Sequence, residues 1–153
     1  MMTTNWKYTD TTNTIVIRTI DSGAIESCLV SEIADWIAEG NIPIPADAPT
    51  IIQQQLAIEV AIQEALDAIA KNCNYDNIKS ACAYASTMPL VPDTDPNFAM
   101  CEKFRRQGNY AQNRMSLTWA MCYAYLATVQ VGTNPMPTPA EAVAMMPEFI
   151  WPD

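Results

Sequence analysis

Residues 41–49 read Asn41-Ile42-Pro43-Ile44-Pro45-Ala46-Asp47-Ala48-Pro49, and this stretch divides the chain into two parts of different character. Its three prolines remove backbone donors and hold φ near −65°, which favours an extended, stiff segment over a regular ladder. Upstream, the apolar residues follow a strand pattern; downstream, a helical one. The expectation is an α+β chain: a β-rich module over residues 1–42, a proline-rich linker over 43–49 and a helical module over 50–153.

Just upstream of the prolines, Ser31 reads as a helix N-cap, with Glu32 near the positive end of the dipole. Ile33, Trp36 and Ile37 fall on one face, and Gly40 suits the left-handed position past a helix end. A short helix is predicted over 32–39. Before it come two β-branched runs, Thr14-Ile15-Val16-Ile17-Arg18-Thr19-Ile20 and Ala24-Ile25-Glu26-Ser27-Cys28-Leu29-Val30. Asp21-Ser22-Gly23 between them reads as a hairpin turn. Trp6-Lys7-Tyr8 adds a short third strand. The N-terminal module is therefore expected to be a small hairpin or meander carrying a short helix.

Downstream, Thr50-Ile51-Ile52-Gln53 matches a capping box. The helix behind it should run to about Asn72, with Ile58, Ile62, Ala65, Leu66, Ile69 and Cys73 as its buried stripe. A second helix is predicted over 77–86, capped by Asp76, with Ile78, Ala81, Cys82 and Ala85 facing inward. Pro89, Pro92 and Pro96 impose a loop. A third helix is predicted over 98–107, with Gly108 kinking or ending it, and a long one over 110–131 closed by Gly132. Thr138-Pro139-Ala140-Glu141 is a helix start, with proline at the first turn and Glu at N3. That helix stops before Pro147. The apolar tail Phe149-Ile150-Trp151-Pro152 is expected to dock on the helices, which together form a bundle.

Half of the 153 residues are apolar, enough for a real core, and the net charge is −9 with no histidine. No run of about 18 apolar residues predicts a membrane span. The first ten residues are polar and lack the apolar centre of a signal peptide, so synthesis in a cytoplasm is expected. The acids are scattered (Asp21, Glu26, Glu32, Asp35, Glu39, Asp47), which reads as solubility. Negative charge disfavours the nucleic-acid backbone, which rewards clustered Lys and Arg. Five cysteines, an odd count without a CxxC pair, read as reduced, buried thiols.

The search for chemistry is mostly negative. Without histidine there is no imidazole base, no His-containing triad and no His metal ligand. No phosphate-binding glycine loop or nucleophile elbow is present. Asp93 and Asp95 in a proline loop lack the further ligands of a calcium site. Glu59, Glu64 and Asp67 mark the wet face of a helix. Arg105, Arg106 and Arg114 with Tyr110 form a small basic-aromatic cluster, for which pairing with acids is the default. Trp119 and Tyr123 are expected in the core. The methionines of the C-terminal half (Met88, Met100, Met115, Met121, Met136, Met145, Met146) suit either core gaps or an adaptable interface. No enzyme, metal or cofactor is expected. The candidate partner contacts are Trp6, Tyr8, Trp36, Arg105, Arg106, Tyr110, Met145 and Trp151.

Several stretches carry a resemblance. Ala65-Leu66-Asp67-Ala68-Ile69-Ala70, Tyr75-Asp76-Asn77-Ile78, Ser80-Ala81, Tyr84-Ala85-Ser86, then Phe104, Gly108, Arg114, Trp119, Cys122 and Tyr123 occur in order. Val129-Gln130-Val131-Gly132-Thr133, Pro137-Thr138-Pro139-Ala140-Glu141 and Met146-Pro147-Glu148-Phe149-Ile150-Trp151-Pro152 complete the series. This ordered set, over about residues 60–152, resembles a small domain of proteins encoded beside the tail-fibre genes of tailed bacteriophages. Trp36-Ile37-Ala38-Glu39-Gly40-Asn41-Ile42-Pro43-Ile44-Pro45-Ala46-Asp47 is similar to the WLAEGNTPEPAD stretch of many phage tail proteins. Asn113 departs from the pattern, where Trp often precedes the arginine matching Arg114.

The resemblance implies a tail or baseplate setting and no defined enzymatic activity. The leading expectation is a structural component of a phage tail that links or anchors a tail-fibre or baseplate protein. It would be made in the host cytoplasm and then reside in the virion tail. The hairpin could offer a strand edge to a partner. Partners would be tail-fibre or baseplate proteins, with self-association allowed and neither nucleic acid nor membrane involved. A tail-fibre assembly chaperone that leaves before release is the alternative. An acidic inhibitor of a host DNA-binding enzyme is a remote third.

Overall fold

The structure is a computed structural model that describes residues 5–10, 12–20 and 22–153. It is an α+β chain of two compact units, one ending at Pro49 and the next beginning at Thr50.

In the first unit, β1 (Lys7–Tyr8), β2 (Ile15–Thr19) and β3 (Ile25–Leu29) form an antiparallel sheet in the order β1-β2-β3. Val16 pairs with Cys28 and with Tyr8, and Ile17 with Ser27 and with Lys7. Of the predicted turn, Ser22 and Gly23 connect β2 to β3, Gly23 at φ +81°; Asp21 lies outside the described residues. A 3-10 turn (Val30–Ile33) runs into α1 (Ala34–Ala38). Because side chains alternate across a strand, paired residues share a face. Trp6, Val16 and Ile33 are buried on one face, with Tyr8, Cys28, Trp36 and Ile37 packed around them.

Two expectations change here. Ser31 is not the N-cap; it lies inside the 3-10 turn, and the capping position falls on Leu29, whose amide donates to the Glu32 carboxylate at 2.8 Å. The proline stretch is not a free linker over its length. Pro43 is buried, and Ile44 bridges to Lys7 in parallel: Ile44 N donates to Trp6 O at 2.8 Å and Tyr8 N to Ile44 O at 2.9 Å. Lys7 Nζ then meets Asp47 at 2.6 Å. Proline cannot donate to a ladder, but the isoleucine between two prolines can, so the segment covers one sheet edge.

The second unit holds α2 (Ile51–Lys71), α3 (Ile78–Thr87), α4 (Phe98–Gln130) and α5 (Pro139–Ala144). Capping boxes open α2 at Thr50 and α5 at Thr138, where the hydroxyls accept from Gln53 N and Glu141 N. Ile58, Ile62, Leu66 and Ala70 recur every four residues and form the buried line of α2. Ile78, Ala81, Ala111, Leu126 and Ala142 join them in one core.

Three expectations change in this unit. The N-cap of α3 is Asn77, not Asp76: Asn77 has extended backbone and its Oδ1 accepts from Ser80 N at 2.9 Å. Asp67 does not simply face water; its Oδ1 accepts from Ile78 N at 2.9 Å and ties α2 to the start of α3. Gly108 does not end a helix. α4 runs unbroken for 33 residues, and the bare Cα of Gly108 within it faces the backbone of α3 at Tyr84 and Ala85.

Candidate functional site

The candidate contact residues fall into different settings. Trp6 is buried, with the Arg18 guanidinium 4.6 Å from its ring, while Tyr8 and Trp36 pack half-buried on the same core. Arg105 pairs with Glu102 one turn back and leaves Nη1 buried without a hydrogen-bond partner.

Arg106, Tyr110 and Trp151 work together, on the chain's own tail. Arg106 donates to Asp153 O at 2.7 Å, and the buried Gln107 donates to Pro152 O at 2.9 Å. Ile150 N donates to the Tyr110 hydroxyl at 2.8 Å, and Arg114 Nε donates to the same oxygen at 3.1 Å. Trp151 stacks on Tyr75 at 5.6 Å between centroids. The arginines were expected to pair with acids; among the described residues Arg105 does, while Arg106 donates to the tail oxygen of Asp153 and Arg114 to the Tyr110 phenol. Tyr75 donates to Gln107 Oε1 at 2.7 Å, and burial pushes its phenol above the usual tyrosine range, with Tyr84 and Cys73 adding to the rise.

Met145 remains at a surface. With Met121, Met146 and Tyr125 it rims an apolar cavity of about 100 Å³ floored by Ile58 and Ile62. A shallower depression continues from it past Pro137 to Met136 and Glu141. Cys122 lines the cavity, and burial, then the charge of Glu59, raises its thiol above the ordinary value. Unbranched thioethers adapt to the shape of what they meet, so this wall suits an apolar side chain.

The first unit carries a second open apolar surface, which sequence reasoning missed. The side of the sheet opposite Trp6 and Val16 presents Ile15, Ile25, Leu29 and Ile44, which are 39%, 70%, 54% and 46% exposed. The signal was present in Ile15-Val16-Ile17: consecutive apolar residues make both faces of a strand apolar, and only one can lie under α1.

Among the described residues no group of three or more His, Cys, Asp or Glu side chains gathers to hold a metal ion. No described helix is long and apolar enough to cross a membrane. All five cysteines are free.

No protein-family model, curated protein or solved structure matches this chain.

The chemistry on offer is therefore that of contact. Each unit carries an open apolar surface, with Lys7 beside the one on the sheet and Glu141 beside the one at Met145.

Proposed function

We propose that this protein is a structural component of a bacteriophage tail that links or anchors a tail-fibre or baseplate protein through protein–protein contacts. The observation that carries the reading is that each unit carries uncovered apolar surface. A connector must hold two neighbours, and exposed apolar patches are the usual mark of such contacts. The ordered resemblance over residues 60–152 supplies the tail setting. The Met121–Met145 cavity in the helical unit is the contact offered to the fibre or baseplate partner. The chain would be made in the host cytoplasm and carried into the virion tail.

Mass analysis of purified particles tests this. The chain should be recovered with the tail, and cross-links should join residues near Met121 and Met145 to a fibre or baseplate protein. Its absence from assembled particles would sink the reading. If fibre trimers then failed to mature without it, the chain would be an assembly chaperone instead.

A further inference from the structure

We propose that residues 147–153 are a releasable strap: they fill a preformed peptide groove on α4, and the same segment of a second copy of this chain can take their place. The inference rests on the helical unit alone and holds whether or not the phage reading does.

The strap is held as a ligand is held. Residues 147–153 lie in no helix or strand, and nothing from Val143 onward is fully buried. Among the described residues no backbone-to-backbone hydrogen bond holds them. Their bonds come from α4 side chains and end on main-chain atoms. Arg106 and Gln107 donate to Asp153 O and Pro152 O, and the Tyr110 hydroxyl accepts from the Ile150 amide. Any peptide offers such atoms. The Trp151 indole supplies the specificity, set against Tyr75 at 5.6 Å and Tyr110 at 6.1 Å between centroids.

The groove keeps its shape without the strap. Tyr75 donates to Gln107 Oε1 at 2.7 Å. Arg114 donates to the Tyr110 hydroxyl at 3.1 Å, with its guanidinium 5.3 Å from the ring centre. Tyr75, Tyr84 and Phe104 pack on one another with centroids 5.5 to 6.4 Å apart. None of these contacts involves residues 147–153. Lifting the strap lets water reach Gln107 Nε2 and leaves the floor's own bonds in place. A receptor organised in advance loses little freedom when a peptide arrives.

Charge and fit select the occupant. Lys103, Arg106 and Arg114 pair with no Asp or Glu side chain among the described residues. Lys103 lines the cleft beside Tyr75 and Gln107. The strap brings Glu148 and Asp153 and no cation. This stretch of α4 is thus a place where a chain of net charge −9 can receive an acidic segment. A second copy carries the segment that already fits here, and each copy offers a groove in return, so the exchange closes as a two-fold pair. The resident strap competes at an effective concentration on the order of millimolar. Exchange therefore shows near that chain concentration, or when the resident strap is weakened.

A fluorescein-labelled, amidated peptide of residues Pro147–Asp153 is the probe, read by fluorescence anisotropy. The full-length Trp151→Ala chain, whose own strap has lost its indole, should bind it saturably. The parent chain should bind at least about tenfold more weakly, because its strap competes. A peptide bearing Trp151→Ala should not bind, and Arg106→Ala added to the Trp151→Ala chain should weaken binding several-fold. Unlabelled parent chain at about 1 mM should move the Gln107 side-chain amide resonance of nitrogen-15-labelled Trp151→Ala chain as the peptide does. Circular dichroism checks that the variant is folded. Should it not be, Ile150→Pro takes its place, because it removes only the amide held by Tyr110, at a position 66% exposed. A folded variant that ignores the peptide would overturn the proposal and make the strap part of the core, as would failure of both variants to fold. Equal affinity of parent and variant would overturn it too. A Gln107 amide that moves with the peptide but not with the parent chain would overturn the exchange between copies.

Discussion

Gly108 and Ala85 meet backbone to backbone: a Cβ placed on Gly108 would lie 2.3 Å from the Ala85 amide nitrogen and 2.8 Å from the Tyr84 carbonyl carbon. The crossing of α3 and α4 is set at this point. Glycine inside a helix ordinarily costs about 1 kcal/mol against alanine; here the close approach offsets that cost.

Gly108→Ala should therefore reverse the usual sign. Both atoms in the way are backbone, so α3 must move, at a cost of about 1–3 kcal/mol or more. For a unit of this size each kcal/mol lowers Tm by roughly 4–8 °C. Differential scanning calorimetry decides it, and a Tm equal to or above that of the parent chain refutes the crossing.

Tyr75→Phe should cost about 1–3 kcal/mol in denaturant unfolding, because Gln107 Oε1 is left buried without its donor. The phenol also gives a pH signature. Its folded pKa is raised by burial, so its contribution to stability is present below the unfolded value and is lost as pH rises through the folded one. Absorbance near 295 nm should show one of the six tyrosines ionising later than the rest, and that phase should vanish in Tyr75→Phe.

Trp151→Ala should loosen the tail. Removing a fully buried tryptophan costs about 3–5 kcal/mol, and Trp151 is half-buried against Tyr75, Tyr110 and Phe149, so about 2 kcal/mol is expected. Amide hydrogen exchange at Ile150, whose N–H is held by Tyr110, should accelerate. Unchanged exchange there would show that the polar bonds hold the tail without the indole.

Cys28, Cys73, Cys82 and Cys122 all have thiols raised by burial. Thiolate is the reactive form, and its fraction falls about tenfold for each unit of rise. Native protein at pH 8 should react with a disulfide reagent far more slowly than the same protein in guanidinium. Rapid native labelling of Cys122 would mean that the Met121–Met145 cavity opens readily.

Much of the local architecture was legible in the residues. Thr50 and Thr138 announce their helices through hydroxyls that reach amides three residues on, Pro139 fits a first turn, and Ile15-Val16-Ile17 declares a strand. These signals act within one turn or one strand, so no partner is needed to read them. At the candidate site, residue type alone did not say what each contact meets. Met145 rims an open cavity, and Trp6, Arg106, Tyr110 and Trp151 make contacts within the chain. A contact-prone side chain looks the same whether its partner is another molecule or its own tail.

The sequence by itself determined the two-part α+β order, the change of character around Pro43 and Pro49, and most helix starts, because caps, prolines and apolar spacing are properties of neighbouring residues. Tertiary structure alone decided that α4 passes through Gly108, that Ile44 closes a sheet edge, that the tail is strapped by Gln107 and Tyr110, and that one sheet face stays bare. Each of these depends on atoms brought together from more than 20 residues away or on an element that never arrives, and no local pattern encodes such a meeting.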